Sequence, residues 1–123
     1  MANHSVHQAF ELFCQRAETE HGIAVGCYIL MPDHVHLFVT LPAHGLTLAA
    51  WIQALRSVLG KRLVALGHQK PHWQEGFFDH VLRSGESYAQ KWNYVQLNPV
   101  RGRLVANAED WPYHGEILPL SFR

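Results

Sequence analysis

The alternation in Val35-His36-Leu37-Phe38-Val39-Thr40-Leu41 constrains this chain most, because a side-chain period of two belongs to a strand and no helix can satisfy it. Val35, Leu37, Val39 and Leu41 form one apolar row that fits a core and fixes the register of the strand. His34 and His36 fall on the opposite face, where a rigid strand would orient both imidazoles and could let them share a metal. Alone, His-x-His is a weak signal, since strand histidines are commonly exposed or hydrogen-bonded to neighbours. A second element strengthens it: Tyr94-Val95-Gln96-Leu97-Asn98-Pro99 places a phenol and an amide four residues apart, which on a helix makes them neighbours.

At 123 residues the chain reads as one domain, able to bury a core without disulfides or a structural metal. Hydrophobic residues at 48% and charged residues at 16% suit a compact globular protein and argue against a long disordered region. Cys14 and Cys27 have no metal or redox spacing and read as buried thiols. With no signal architecture and no apolar run of membrane-spanning length, a reducing cytoplasm is the expected location.

The net charge of zero hides an asymmetry. Arg56 to Arg103 carries eight basic and three acidic residues, the remainder two basic and seven acidic. One part of the chain can therefore attract phosphates.

Local patterns give the element order. Ser5 to Glu20 reads as an amphipathic helix with Val6, Phe10, Phe13 and Ala17 on its stripe, Ser5 and Gln8 in capping-box spacing and Gly22 past its end. Ile23 to Leu30 reads as a buried strand, and Pro32-Asp33 turns it into the histidine strand, making an antiparallel hairpin. Thr47 can cap a long helix carrying Leu48, Trp51, Ile52, Leu55, Leu59, Leu63 and Leu66, stopped by Gly67. The stretch His72 to Leu82 suits an aromatic-rich strand pair, or a loop and strand. Ser84 to Ser87 opens a helix with Tyr88, Trp92 and Val95 on one stripe, and Pro99 ends it, leaving Asn98 at the terminus. Glu109 to Arg123 reads as an irregular tail whose Trp111 and Tyr113 pack on the body.

Four ordered blocks, Tyr28-Ile29-Leu30-Met31-Pro32-Asp33-His34-Val35-His36-Leu37, Trp73-Gln74-Glu75-Gly76-Phe77-Phe78-Asp79, Tyr94-Val95-Gln96-Leu97-Asn98-Pro99-Val100-Arg101 and Asp110-Trp111-Pro112-Tyr113, closely resemble one family. It is that of the REP-associated tyrosine transposases, single-tyrosine members of the HUH group, in which U is the apolar residue between two histidines. The similarity runs from about Gly22 to Tyr113. It implies an α+β fold, a ferredoxin-like antiparallel sheet with helices packed on one face.

The resemblance also implies a chemistry. His34 and His36 would bind magnesium or manganese, which acts on the scissile phosphate of single-stranded DNA as Lewis acid and template. Tyr94 would attack the phosphorus, giving a 5'-phosphotyrosine link and a free 3'-hydroxyl, and Asn98 would be the third metal ligand. Lys91, one turn before the tyrosine, is a candidate to ease the attack, although a solvated helix lysine is the plainer reading. Arg56, Lys61, Arg62, Arg83, Arg101 and Arg103 are candidate contacts to single-stranded or hairpin DNA, with Trp73, Phe77 or Phe78 available to stack on bases. His72 and His80 are closer to structural residues than to site residues.

Family members open with a strand before the first helix, whereas this sequence reads from the helix. The histidine strand is then expected to show an open edge, covered by a second copy in a homodimer or by a rearranged sheet. Two rival functions stay open. A module that binds DNA hairpins without cutting them would form no covalent adduct, and a small zinc protein built on His34 and His36 would keep zinc and ignore DNA.

Overall fold

The computed structural model describes residues 3–32, 34–42, 44–67, 78–79 and 88–120. The first helix, α1, spans His4–His21 and is capped by Asn3, whose side chain accepts from the Val6 amide at 2.9 Å. The cap thus lies two residues before Ser5, the residue the capping-box spacing points to. Gly22 ends the helix in the left-handed conformation, with φ 69°, its amide returning to the carbonyls of Ala17 and Glu18. Removing the cap in Asn3→Ala should cost about 1 kcal/mol, read as a lower urea midpoint at unchanged slope.

Strands β1, Ala24–Leu30, and β2, Val35–Thr40, form the expected antiparallel hairpin, with Leu30 opposite Val35 and Ile29 opposite His36. The register shifts between Val25 and Tyr28, a bulge that lets the strand twist. Helix α2, Leu48–Ala65, is capped by the Thr47 hydroxyl as its sequence implies. It leads to β3, Phe78–Asp79, which pairs with Val35 and His36 in parallel. A parallel pair needs a crossover, and α2 lies within that connection.

The tail contributes β4, His114–Glu116, antiparallel to β1, so the sheet order is β3-β2-β1-β4. An irregular tail was the expectation. The extra strand arises because the Leu30 amide bonds the Tyr113 carbonyl at 2.8 Å and the Trp111 indole bonds the Leu30 carbonyl at 3.0 Å, which lays the chain along the edge of β1.

Both sheet faces are covered. On one, Val35, Leu37 and Val39 pack with Val25, Tyr28 and Leu30 under the stripes of α1 and α2, including Val6, Phe10, Trp51, Leu55 and Leu59. Helices were expected on one face of the sheet, and α1 and α2 take this one. On the other, Ile29, Met31 and Phe38 meet Val95 and Trp111, with Tyr88 and Trp92 packed against them. Those come from helix α3, Tyr88–Val95, and from the tail.

Gly26 shows how closely that second face is packed. A Cβ there would lie 2.5 Å from the Tyr88 hydroxyl and 2.6 Å from Leu120. That hydroxyl accepts from the Cys27 amide at 2.8 Å, so Gly26→Ala must displace a bonded group as well as overpack. The expected loss is about 1–3 kcal/mol, visible as a melting temperature lowered by several degrees.

Candidate functional site

His36 leaves β2 on the face opposite the α1 and α2 packing, because Val35 and Leu37 on either side of it are fully buried in that core. His34 immediately precedes the strand and brings its ring beside that of His36, with centroids 4.7 Å apart and planes at 81°. Their Nε2 atoms are 3.0 Å apart. Adjacent donors around a small octahedral cation with bonds of about 2.1 Å lie at nearly this separation.

Asn98 supplies the third group. Its Nδ2 lies 2.8 Å from His36 Nε2, so three side chains converge on one point. Among the described residues no three His, Cys, Asp or Glu side chains gather to hold a metal. Of the described groups that meet here, Asn98 could offer its amide oxygen as a third ligand through rotation of the amide group. Imidazole nitrogens suit transition metals, zinc among them, and an amide oxygen suits magnesium or manganese, so the mixed set is compatible with either class.

Asn98 reaches this position through a break in the helix rather than at its terminus. Helix α3 stops at Val95, and a separate short helix, α4, spans Asn98–Arg101 with Pro99 in its first turn. Pro99 has no N–H to return to the Val95 carbonyl, so a continuous helix loses a rung there and divides. Tyr94 and Asn98 thus lie on either side of the break instead of stacking along one helix.

Arg101 bridges them. Its guanidinium lies over the Tyr94 ring, 4.0 Å from the centroid, and donates to the Tyr94 carbonyl at 2.8 Å and to Asn98 Oδ1. An unbroken series of contacts runs from His34 through His36, Asn98 and Arg101 to Tyr94. The sequence marks Arg101 only as a DNA contact. Its bridging position is encoded by the offsets of three from Asn98 and seven from Tyr94.

The four tyrosines differ sharply in what they could do. Tyr28 is 2% exposed and bonds His7, while Tyr88 is held by the Cys27 amide. Burial pushes both phenols above the usual tyrosine range, which makes their ionised forms costly. Tyr113 is partly buried against Trp111, with ring centroids 5.3 Å apart. Tyr94 is 66% exposed and is the phenol a large substrate can reach.

The basic candidates separate into two groups. Lys91, Arg101 and Arg103 are exposed on the segment that carries Tyr94 and Asn98. Arg56, Lys61 and Arg62 sit on α2, which packs on the other face of the sheet from the imidazoles, and Arg62 turns toward Ser5 of α1 at 3.4 Å. The fold does not bring this second group to the histidines. Arg83, Trp73, Phe77, His72 and His80 lie outside the described residues, as does the side chain of Phe78.

The chain is 30% identical over 94 residues to a Haemophilus influenzae protein provisionally named a REP-associated tyrosine transposase, a match covering 68% of this chain and 53% of that protein. It is 22% identical over 98 residues to the REP-associated tyrosine transposase of Escherichia coli K12, covering 80% of this chain and 57% of the relative. The chain thus spans about half the length of the curated relatives it matches. No protein-family model and no solved structure matches it.

Proposed function

Because this chain is a relative of the REP-associated tyrosine transposases, we propose that it cuts and rejoins single-stranded or hairpin DNA through Tyr94. The observation that carries this reading is the convergence of His34, His36 and Asn98 at one point, tied through Arg101 to the exposed phenol of Tyr94.

In this mechanism the Tyr94 oxygen attacks a backbone phosphorus and releases its proton to solvent, to which its exposure gives access. An O–P bond to tyrosine forms as the bond from phosphorus to the 3'-oxygen breaks, and that oxygen leaves as a hydroxyl once protonated. The phosphodiester energy is conserved in the phosphotyrosine, so attack by a 3'-hydroxyl reverses the step and joins strands. Magnesium or manganese, held by His34, His36 and the Asn98 oxygen, would polarise the attacked phosphate and offset the charge that develops on it.

Lys91 and Arg103 hold the strand by phosphate contacts in this reading, which makes affinity fall with salt, while the Arg101 guanidinium is engaged by Tyr94 and Asn98. Arg56, Lys61 and Arg62 lie on α2, which packs on the sheet face opposite the imidazoles, and any DNA they meet would be outlying duplex. No helix among the described residues is long and apolar enough to cross a membrane.

The test is a denaturing gel of protein incubated with an end-labelled hairpin strand and manganese. A slow-migrating covalent band that needs both the metal and Tyr94 supports the reading. Retention of the strand on native gels without such a band would reduce the function to binding, and zinc retained without DNA affinity would replace it.

A further inference from the structure

A guanidinium has donors and no acceptor, so its bond to Asn98 fixes which end of the amide points where. Arg101 holds Oδ1, and Nδ2 therefore faces His36 Nε2 at 2.8 Å. An amide nitrogen can only donate there, so His36 Nε2 carries its lone pair, the form of imidazole a cation requires. Arg101 thus sets the state of His36 through Asn98 without touching it.

The same bond has an opposing effect. Cations bind the oxygen of an amide, and here the guanidinium already occupies that oxygen. Both cannot use it fully. Resting on the reading of His34, His36 and Asn98 as a metal centre, we propose that Arg101 is a positioning residue that competes with the divalent cation for Asn98 Oδ1, while its stacking on the Tyr94 ring keeps the phenol aligned with the centre. The side chain is free to make this exchange because Arg101 is exposed and its other partners, the Tyr94 ring and carbonyl, lie on the neighbouring helix.

The two halves of the proposal predict changes of opposite sign. In Arg101→Ala, manganese binding to the protein alone, followed by loss of the electron-spin-resonance signal of the free aqua ion, should tighten about tenfold, the equivalent of removing one charge-assisted competitor. At saturating manganese, the yield of covalent adduct should fall several-fold, because Tyr94 has lost its clamp. Arg101→Lys keeps the charge without the planar fork and should lie between the two proteins in both measurements.

A merely structural role would instead weaken metal binding and adduct formation together. Manganese binding that is unchanged or weaker in Arg101→Ala, in protein melting as the wild type does, overturns the proposal. His36→Ala measured alongside separates the failures. If it leaves manganese binding intact the metal centre itself is misplaced, whereas if it abolishes binding and Arg101→Ala does not tighten it, only the competition is wrong.

Discussion

Tyr94→Phe protein is expected to form no detectable covalent adduct with a labelled strand, a loss of at least about 10³-fold of the kind that follows removal of a reacting group. The change deletes one oxygen from a side chain that is 66% exposed, so stability should stay within about 0.5 kcal/mol. The ring remains under the Arg101 guanidinium, and binding of the uncut strand on native gels should persist. Phe substitutions at Tyr28 or Tyr88 are the informative contrasts. They remove hydroxyls bonded to His7 and to the Cys27 amide, and their cost appears in the melting temperature rather than in the covalent step.

His36→Ala carries the second large effect. Among the contacts found, His36 Nε2 is where the His34 ring and the Asn98 amide meet. Without it this link between His34 and Asn98 is lost. Polarisation of the phosphate is worth several kcal/mol in metal-assisted displacement, so adduct formation at fixed manganese should fall by about 10³-fold. Raising the manganese concentration should recover little of it. The wild type treated with a chelator should behave like the variant and regain activity when manganese is restored, which the variant should not. Retention of metal-dependent cleavage by His36→Ala would remove the strand histidines from the mechanism.

The hairpin was readable because its evidence is local. Val35, Leu37 and Val39 alternate with the histidine face, and all three are fully buried as that pattern requires. The stripes of α1 and α2 and the Thr47 cap follow from helical periodicity and one hydroxyl, and Tyr88, Trp92 and Val95 meet on one surface for the same reason. Elements settled by distant partners were not readable. His114-Gly115-Glu116 has no strand signature and is laid along β1 by bonds on both sides of it, from Trp111 and Tyr113 to Leu30 and from Ile117 and Leu118 to Gly26 and Val25. Asn3 rather than Ser5 is the cap because the helix begins at His4, two residues before the first residue of its apolar stripe, Val6.

The site divides in the same way. Residue types and spacings single out His34, His36, Tyr94 and Asn98, and the fold connects them by contact. The spacing of Tyr94 and Asn98 implies a shared helix, yet Pro99 divides it, and the link passes instead through Arg101. Charge counting cannot tell the two faces of a sheet apart. It named Arg56, Lys61 and Arg62 as DNA contacts alongside Arg101, and α2 carries them on the sheet face opposite the imidazoles. The block around Trp73 and Arg83 lies outside the described residues.

The seating of β4 beside β1 also bears on synthesis. Cys27 and Glu116 are partners 89 positions apart, so one side of β1 waits for residues translated long after the hairpin has emerged. Until then the nascent hairpin exposes hydrogen-bonding groups and much of an apolar surface, the condition under which chains are captured by chaperones or by one another. Yield in a fast-translating host should therefore respond to growth temperature and chaperone supply more than the size of this protein would suggest.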